Sequence, residues 1–288
     1  MGQARITPIT YIVSNVQSRH ARGGDFTRRK WVTVRSMSFK VNADVDRSFW
    51  TTVVSHETQF IQRPIAGGRI LQILIAIHPA VNKTIILNYN GAGGSLDGYC
   101  EKYLKIADLL QRRNIGAVVR VENRLRTDLP YAETLAGNFG FAVDYVLKHA
   151  RGICGQDKPD LFLMGFSAGA SAVAVIAKDF PQVRRILMVA PSADAGREAL
   201  EEALTSFAGE VYMVFPDSDE VISRDFSRHI YLKAADANPR KVFYRVVPHC
   251  GHSFRGERNG RILSKAPLWA FAGDKSFPSP EGGVKLYD

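Results

Sequence analysis

From residue 58 onward, short apolar runs alternate with longer stretches whose apolar residues recur every three or four positions, the pattern of a sheet flanked by helices. Thr58 to Arg63 and Arg69 to Ile77 lie on either side of Ala66-Gly67-Gly68 and predict an antiparallel hairpin. Thr84 to Tyr89 reads as a strand running into Asn90-Gly91-Ala92-Gly93-Gly94, and Tyr99 to Arg113 follows at helical spacing. Ala117 to Val121 is the next strand, and Pro130 opens a helical pattern that closes near Gly152. Leu161 to Met164 and Ala170 to Lys178 form a further strand–helix pair. Strands at Arg185 to Val189, Val211 to Phe215 and Val242 to Val247 then alternate with helices at Arg197 to Phe207, Arg224 to Ala235 and Gly260 to Phe271. The expected fold class is α/β, with a mostly parallel sheet of about eight strands. Only Pro191 to Gly209 separate two of the later strands, which fits one connecting helix and leaves no room for a large lid domain.

The organisation expected from this pattern is a basic extension over residues 1–57, an α/β domain over 58–271 and a tail over 272–288. Edge strands such as Trp31 to Phe39 are possible within the extension, and the tail from Ser276 has loop composition. The charge is uneven. Residues 1 to 47 carry nine basic side chains against three acidic ones, in a chain of net charge +10. Such an arm suits an anionic partner, although a solvated extension or a transit-like segment has the same composition. No run reaches the length of a transmembrane segment, and no apolar core of a secretory signal precedes the arm. Cys100, Cys154 and Cys250 are scattered, which argues against a disulfide framework and for a reducing, cytoplasmic setting.

The chemistry concentrates where strands end. Gly165-Phe166-Ser167-Ala168-Gly169 joins a strand to a helix, the setting in which Gly-x-Ser-x-Gly makes a sharp turn that presents a serine hydroxyl. Pro216-Asp217-Ser218-Asp219-Glu220 follows a later strand, and Pro248-His249-Cys250-Gly251-His252 follows another. Open parallel sheets place their sites at these strand ends. Serine, acid and histidine therefore occur in that chain order.

This order resembles the serine hydrolases of the α/β-hydrolase fold, over about residues 58 to 271. The resemblance implies Ser167 as nucleophile, His252 as general base and Asp219 as the acid that orients the imidazole. It implies an oxyanion hole from the backbone N–H groups of Ala92 and Ala168. Many family members begin that loop with His-Gly, whereas this chain has Asn90-Gly91. Turn chemistry alone does not separate Asp217 from Asp219. The family habit of an acid three residues before a valine- or isoleucine-like position, here Ile222, favours Asp219. His249 is the rival of His252, and the Gly251-His252 pair favours the latter. His56, His78 and His149 read as structural or surface groups.

Asn90, Gly91, Arg124, Arg126 and Phe166 are candidate substrate-binding residues, with Arg255 a further cation on the same side. The arginines suit a carboxylate or phosphate, or else pair with Glu122, Asp128 and Glu257. Tyr89, Tyr99 and Phe166 are candidates for an apolar acyl pocket, or ordinary packing. The resemblance implies an esterase or thioesterase acting on a small-molecule or acylated substrate, with neither metal nor organic cofactor. A peptidase, amidase or acyltransferase would use the same machinery, and a non-catalytic binding protein would use the fold and the basic arm alone.

Overall fold

The computed structural model describes residues 56–124 and 129–277. Residues 1–55 of the basic arm with the strand expected at Trp31 to Phe39, Arg126 and most of the tail lie outside the described residues. Strands β1 (Glu57–Pro64) and β2 (Ile70–His78) form an antiparallel hairpin. It closes through Ala66–Gly68, where Gly67 and Gly68 take φ of 74° and 71°, conformations that glycine adopts without a Cβ penalty. Then follow β3 (Thr84–Tyr89), α1 (Lys102–Arg112), β4 (Ala117–Val121), α2 (Tyr131–Lys148), α3 (Ala150–Cys154) and β5 (Asp160–Phe166). The remainder is α4 (Ala168–Ala177), β6 (Val183–Val189), α5 (Arg197–Ser206), β7 (Glu210–Pro216), α6 (Arg224–Ala237), β8 (Val242–Val247) and α7 (Glu257–Ala272).

The eight strands form one open sheet in the order β1-β2-β4-β3-β5-β6-β7-β8. Only the pairings that involve β2 are antiparallel. Alternation along the strands explains the two cores. In β5, Leu161 and Leu163 pack with α2, α4 and α5, while Met164 and Phe166 pack with α1 and α7. Residues two apart share a face of a strand, so one sheet carries helices on both sides.

Register then aligns the strand ends. Tyr89 pairs with Gly165, Phe166 with Val189, Val189 with Val214, and Pro216 with Val247. The loops that leave β3, β5, β7 and β8 therefore emerge together at one edge of the sheet.

Three helices differ from the sequence expectation. The helix expected from Tyr99 starts with a tight turn at Tyr99–Glu101, and α1 begins at Lys102. The helix expected to run unbroken to Gly152 divides at His149. There the imidazole Nδ1 reaches the Tyr145 carbonyl at 2.8 Å, adding a side-chain competitor to the helical bond on that oxygen. The last helix starts at Glu257 rather than Gly260, because Gly256 turns the chain with φ of 90°.

Helix α4 lies unusually close to the sheet. A Cβ on Gly169 would sit 2.3 Å from the Tyr89 carbonyl oxygen, and one on Gly165 would sit 2.3 Å from that of Gly169. We expect Gly169→Ala to lower stability by about 3 kcal/mol through overpacking. Gly152→Ala, where nothing lies within 4 Å, should be neutral or stabilising. Equal denaturation midpoints for wild type and Gly169→Ala would contradict this reading.

Candidate active site

Ser167 occupies the turn between β5 and α4 with φ 53° and ψ −121°. A non-glycine residue there costs on the order of 1–3 kcal/mol and persists only where its surroundings hold it. They do so here. The Ser167 N–H donates to Val189 O at 2.9 Å, and its carbonyl accepts from Ala170 N at 2.9 Å and Ser171 N at 3.3 Å. The side chain remains partly exposed at the sheet edge.

His252 Nε2 lies 3.0 Å from Ser167 Oγ. Its Nδ1 lies 2.9 Å from one Asp219 oxygen and 3.0 Å from the other. An ionised carboxylate only accepts hydrogen bonds, so Nδ1 carries the proton and Nε2 is left to accept from the serine hydroxyl. Asp219 is itself fixed, because Oδ1 accepts from Val221 N at 2.9 Å and Ile222 N at 2.8 Å. Of the two candidate acids, Asp219 is therefore the one at the imidazole.

Asp217 and Glu220 hold the histidine loop by its backbone. Asp217 accepts from Cys250 N at 3.1 Å, and Glu220 accepts from His252 N at 2.9 Å. Burial acts to raise the Asp217 pKa, but the His249 and Cys250 N–H groups and the Ser218 hydroxyl overrule it and hold the carboxyl below its ordinary range. The His252 N–H lowers Glu220 in the same way. His249 lies in this loop, exposed and with φ of 55°, while His252 is buried.

The glycine-rich loop after β3 meets the elbow directly. A Cβ on Gly91 would lie 3.2 Å from Phe166 Cδ1 and 3.3 Å from Ser167 Cβ. Asn90, fully buried, accepts from Asn88 Nδ2 at 3.1 Å and donates to the Ser95 carbonyl. Its side chain thus braces the loop and is not available to a substrate. Ala92 is exposed beside Gly91. Ala168 is buried at the first position of α4, where the N–H has no partner within the helix.

The other predicted residues divide. Phe166 is buried, with its ring 5.5 Å from the His252 ring and 6.1 Å from Phe254. Arg124 is exposed and pairs with Glu122 at 2.6 Å. Arg255 is exposed, and its charge acts on Glu220. Tyr89 is ordinary packing: it is fully buried and stacks on Phe139 at 4.5 Å. Tyr99 is exposed.

Arg120 is a buried residue that the sequence reading passed over. It lies in β4, donates to the Leu96 carbonyl at 3.1 Å and to His78 Nε2 at 3.0 Å, and pairs with Asp97. It thereby anchors the far end of the glycine-rich loop. Burial, followed by Arg120, lowers the His78 pKa to about 3, so the ring stays neutral and accepts. The signal was present in the sequence: an arginine inside Ala-Val-Val-Arg-Val must find partners when the strand is buried on both faces.

A scan against protein-family models and a search of curated proteins return no match. Solved structures do match. An alpha-beta serine hydrolase homologue from Coxiella burnetii is 19% identical, with a TM-score of 0.53 over 73% of this chain and 94% of that one. Carboxyl esterase 2 from the mycorrhizal fungus Tuber melanosporum is 13% identical, with a TM-score of 0.57 over 77% and 86%. A thioesterase domain from the curacin biosynthetic pathway is 12% identical, with a TM-score of 0.54 over 75% and 100%. The chain has the α/β-hydrolase fold.

The loop contacts carry their own prediction. Asp217→Asn should speed amide hydrogen exchange at His249 and Cys250 without changing exchange across β3 and β5. Because both carboxyls are held below their ordinary range, wild type keeps this protection at neutral pH and loses it only as pH falls through the lowered values. Unchanged exchange at Cys250 in the variant would show that the contact contributes nothing.

Proposed function

We propose that the chain is a serine hydrolase that cleaves a carboxylic ester or thioester through an acyl-enzyme on Ser167. One observation carries the reading: the serine, imidazole and carboxylate lie in a hydrogen-bonded line, at 3.0 Å and 2.9 Å. The names of the esterase and thioesterase structures that share the fold support the choice of bond.

In this reading Ser167 Oγ attacks the acyl carbon and its proton passes to His252 Nε2. Asp219 stabilises the imidazolium that forms. The negative charge on the former carbonyl oxygen is met by the N–H of Ala168, aided by the N-terminal dipole of α4, and by the N–H of Ala92. The carbon–oxygen or carbon–sulfur bond then breaks, and the leaving group takes the proton from His252. Water attacks the acyl-enzyme while giving a proton to Nε2. Release of the acid returns that proton to Ser167.

We place the protein in the cytoplasm. Cys154 and Cys250 are buried free thiols, which suits a reducing compartment. Among the described residues no helix is long and apolar enough to cross a membrane.

A fluorophosphonate probe should label wild type and fail to label Ser167→Ala; labelling of the variant would overturn the nucleophile. Asp219→Asn should lower kcat by about 10⁴-fold, because the carboxamide allows the wrong imidazole tautomer. Asp217→Asn should keep most of that turnover. A panel of p-nitrophenyl esters, thioesters and aminoacyl amides reads the bond preference, with esters and thioesters expected to exceed amides.

A further inference from the structure

Lys102 stands at the first position of α1, directly after the tight turn Tyr99–Glu101. Its ammonium lies 4.2 Å from the centre of the Phe166 ring and 4.9 Å from that of Tyr103. Phe166 precedes Ser167, and its other ring neighbours are His252 and Phe254. The ammonium and the imidazole therefore both neighbour one aromatic ring.

The placement is unfavourable for stability alone. A helix N-terminus favours anions, so a cation in the first turn opposes the dipole. Glu101, the adjacent carboxylate, faces Lys105 at 3.9 Å. Burial acts on the Lys102 ammonium and lowers its pKa to about 8. Among the described residues, the titratable groups around it are Tyr103, whose ring it contacts, Glu101 and Lys105 on its own turn, and His252 beside the same Phe166 ring. The segment that delivers Lys102 is strained as well, with Cys100 and Glu101 at φ of 52° and 59°. Among the described residues no carboxylate pairs with this ammonium, and a half-buried cation so placed, held by strained backbone beside a nucleophile, is the pattern of a group kept for a ligand.

We propose that the Lys102 ammonium recognises a carboxylate carried by the ester substrate, so that the site selects acyl esters bearing one negative charge. The proposal rests on the reading of Ser167 as nucleophile for its use in turnover, and on the position of Lys102 for its binding. The phenyl rings of Phe166 and Tyr103 hold the ammonium without neutralising it. An arriving carboxylate completes the ion pair in partly dehydrated surroundings, where such a pair is stronger than at an open surface.

The test pairs the mono-p-nitrophenyl ester of glutaric acid with p-nitrophenyl pentanoate, which lacks the carboxylate. A second pair, m-carboxyphenyl butyrate and phenyl butyrate, moves the charge to the leaving group. The ratio of kcat/KM, charged over neutral, should fall about tenfold or more in Lys102→Met for one of the two pairs, which names the side the lysine serves. Lys102→Arg should retain the ratio. In wild type the same ratio should decline as pH rises through about 8, because the ammonium loses its proton while the carboxylate stays ionised. Groups common to both substrates cancel in the ratio.

Ratios for Lys102→Met within twofold of wild type in both pairs, or a ratio independent of pH, would overturn the proposal. Calorimetry of both charged esters, the glutarate hemiester and m-carboxyphenyl butyrate, with Ser167→Ala protein separates the two readings. Binding that weakens about tenfold on adding Lys102→Met supports the lysine site even if wild type shows no turnover. Equal binding of both charged esters with and without Lys102 rejects it even if wild type turns over.

Discussion

Helix α4 meets β3 and β5 at a distance that admits no side chain at Gly165 or Gly169. That contact forces Ser167 into its strained turn, with φ of 53°. The strain is held by hydrogen bonds from both directions: Val189 takes the serine N–H, while the first turn of α4 and Ser192 bond its carbonyl. The serine hydroxyl consequently projects from the sheet edge, and the buried N–H of Ala168 starts the helix beside it. Close packing of backbone on backbone, more than any polar contact, sets the geometry at Ser167.

The partners of the serine arrive by a different device. Strand register brings the loops after β7 and β8 to the same edge, but two loops side by side do not fix an imidazole. Three carboxylates supply the fixing. Asp219 holds the ring, while Asp217 and Glu220 hold the backbone that carries it. On the other side, Arg120 and Asn90 brace the glycine-rich loop against β4 and β3. Each mobile-looking loop thus has a charged or amide group dedicated to its conformation, as a preorganised site requires.

Much of the fold was legible because apolar periodicity is unambiguous in buried strands. Thr84–Tyr89, Ala117–Val121 and Val242–Val247 span the strands read from the sequence. Helix ends were less legible, since they depend on local events such as the left-handed turn at Cys100–Glu101 and the His149 side chain on Tyr145. Ser167, Asp219 and His252 were legible because turn glycines and strand ends mark them. Their supports were not. Asp217 and Glu220 look like rivals or bystanders in a run of acids, and only the register of β7 against β8 reveals which backbone each one meets. Lys102 escaped for the same reason: nothing in the surrounding residues announces that its ammonium rests on the aromatic ring before the nucleophile.

The central claim is that chemistry passes through a covalent bond at Ser167. Rapid acid quench of the protein during turnover of p-nitrophenyl acetate, followed by peptide mass spectrometry, tests it directly. One acetyl group is expected on the peptide containing Ser167, formed and consumed at rates that match turnover. Steady turnover with no acyl group on Ser167, or with the group on another residue, would contradict it.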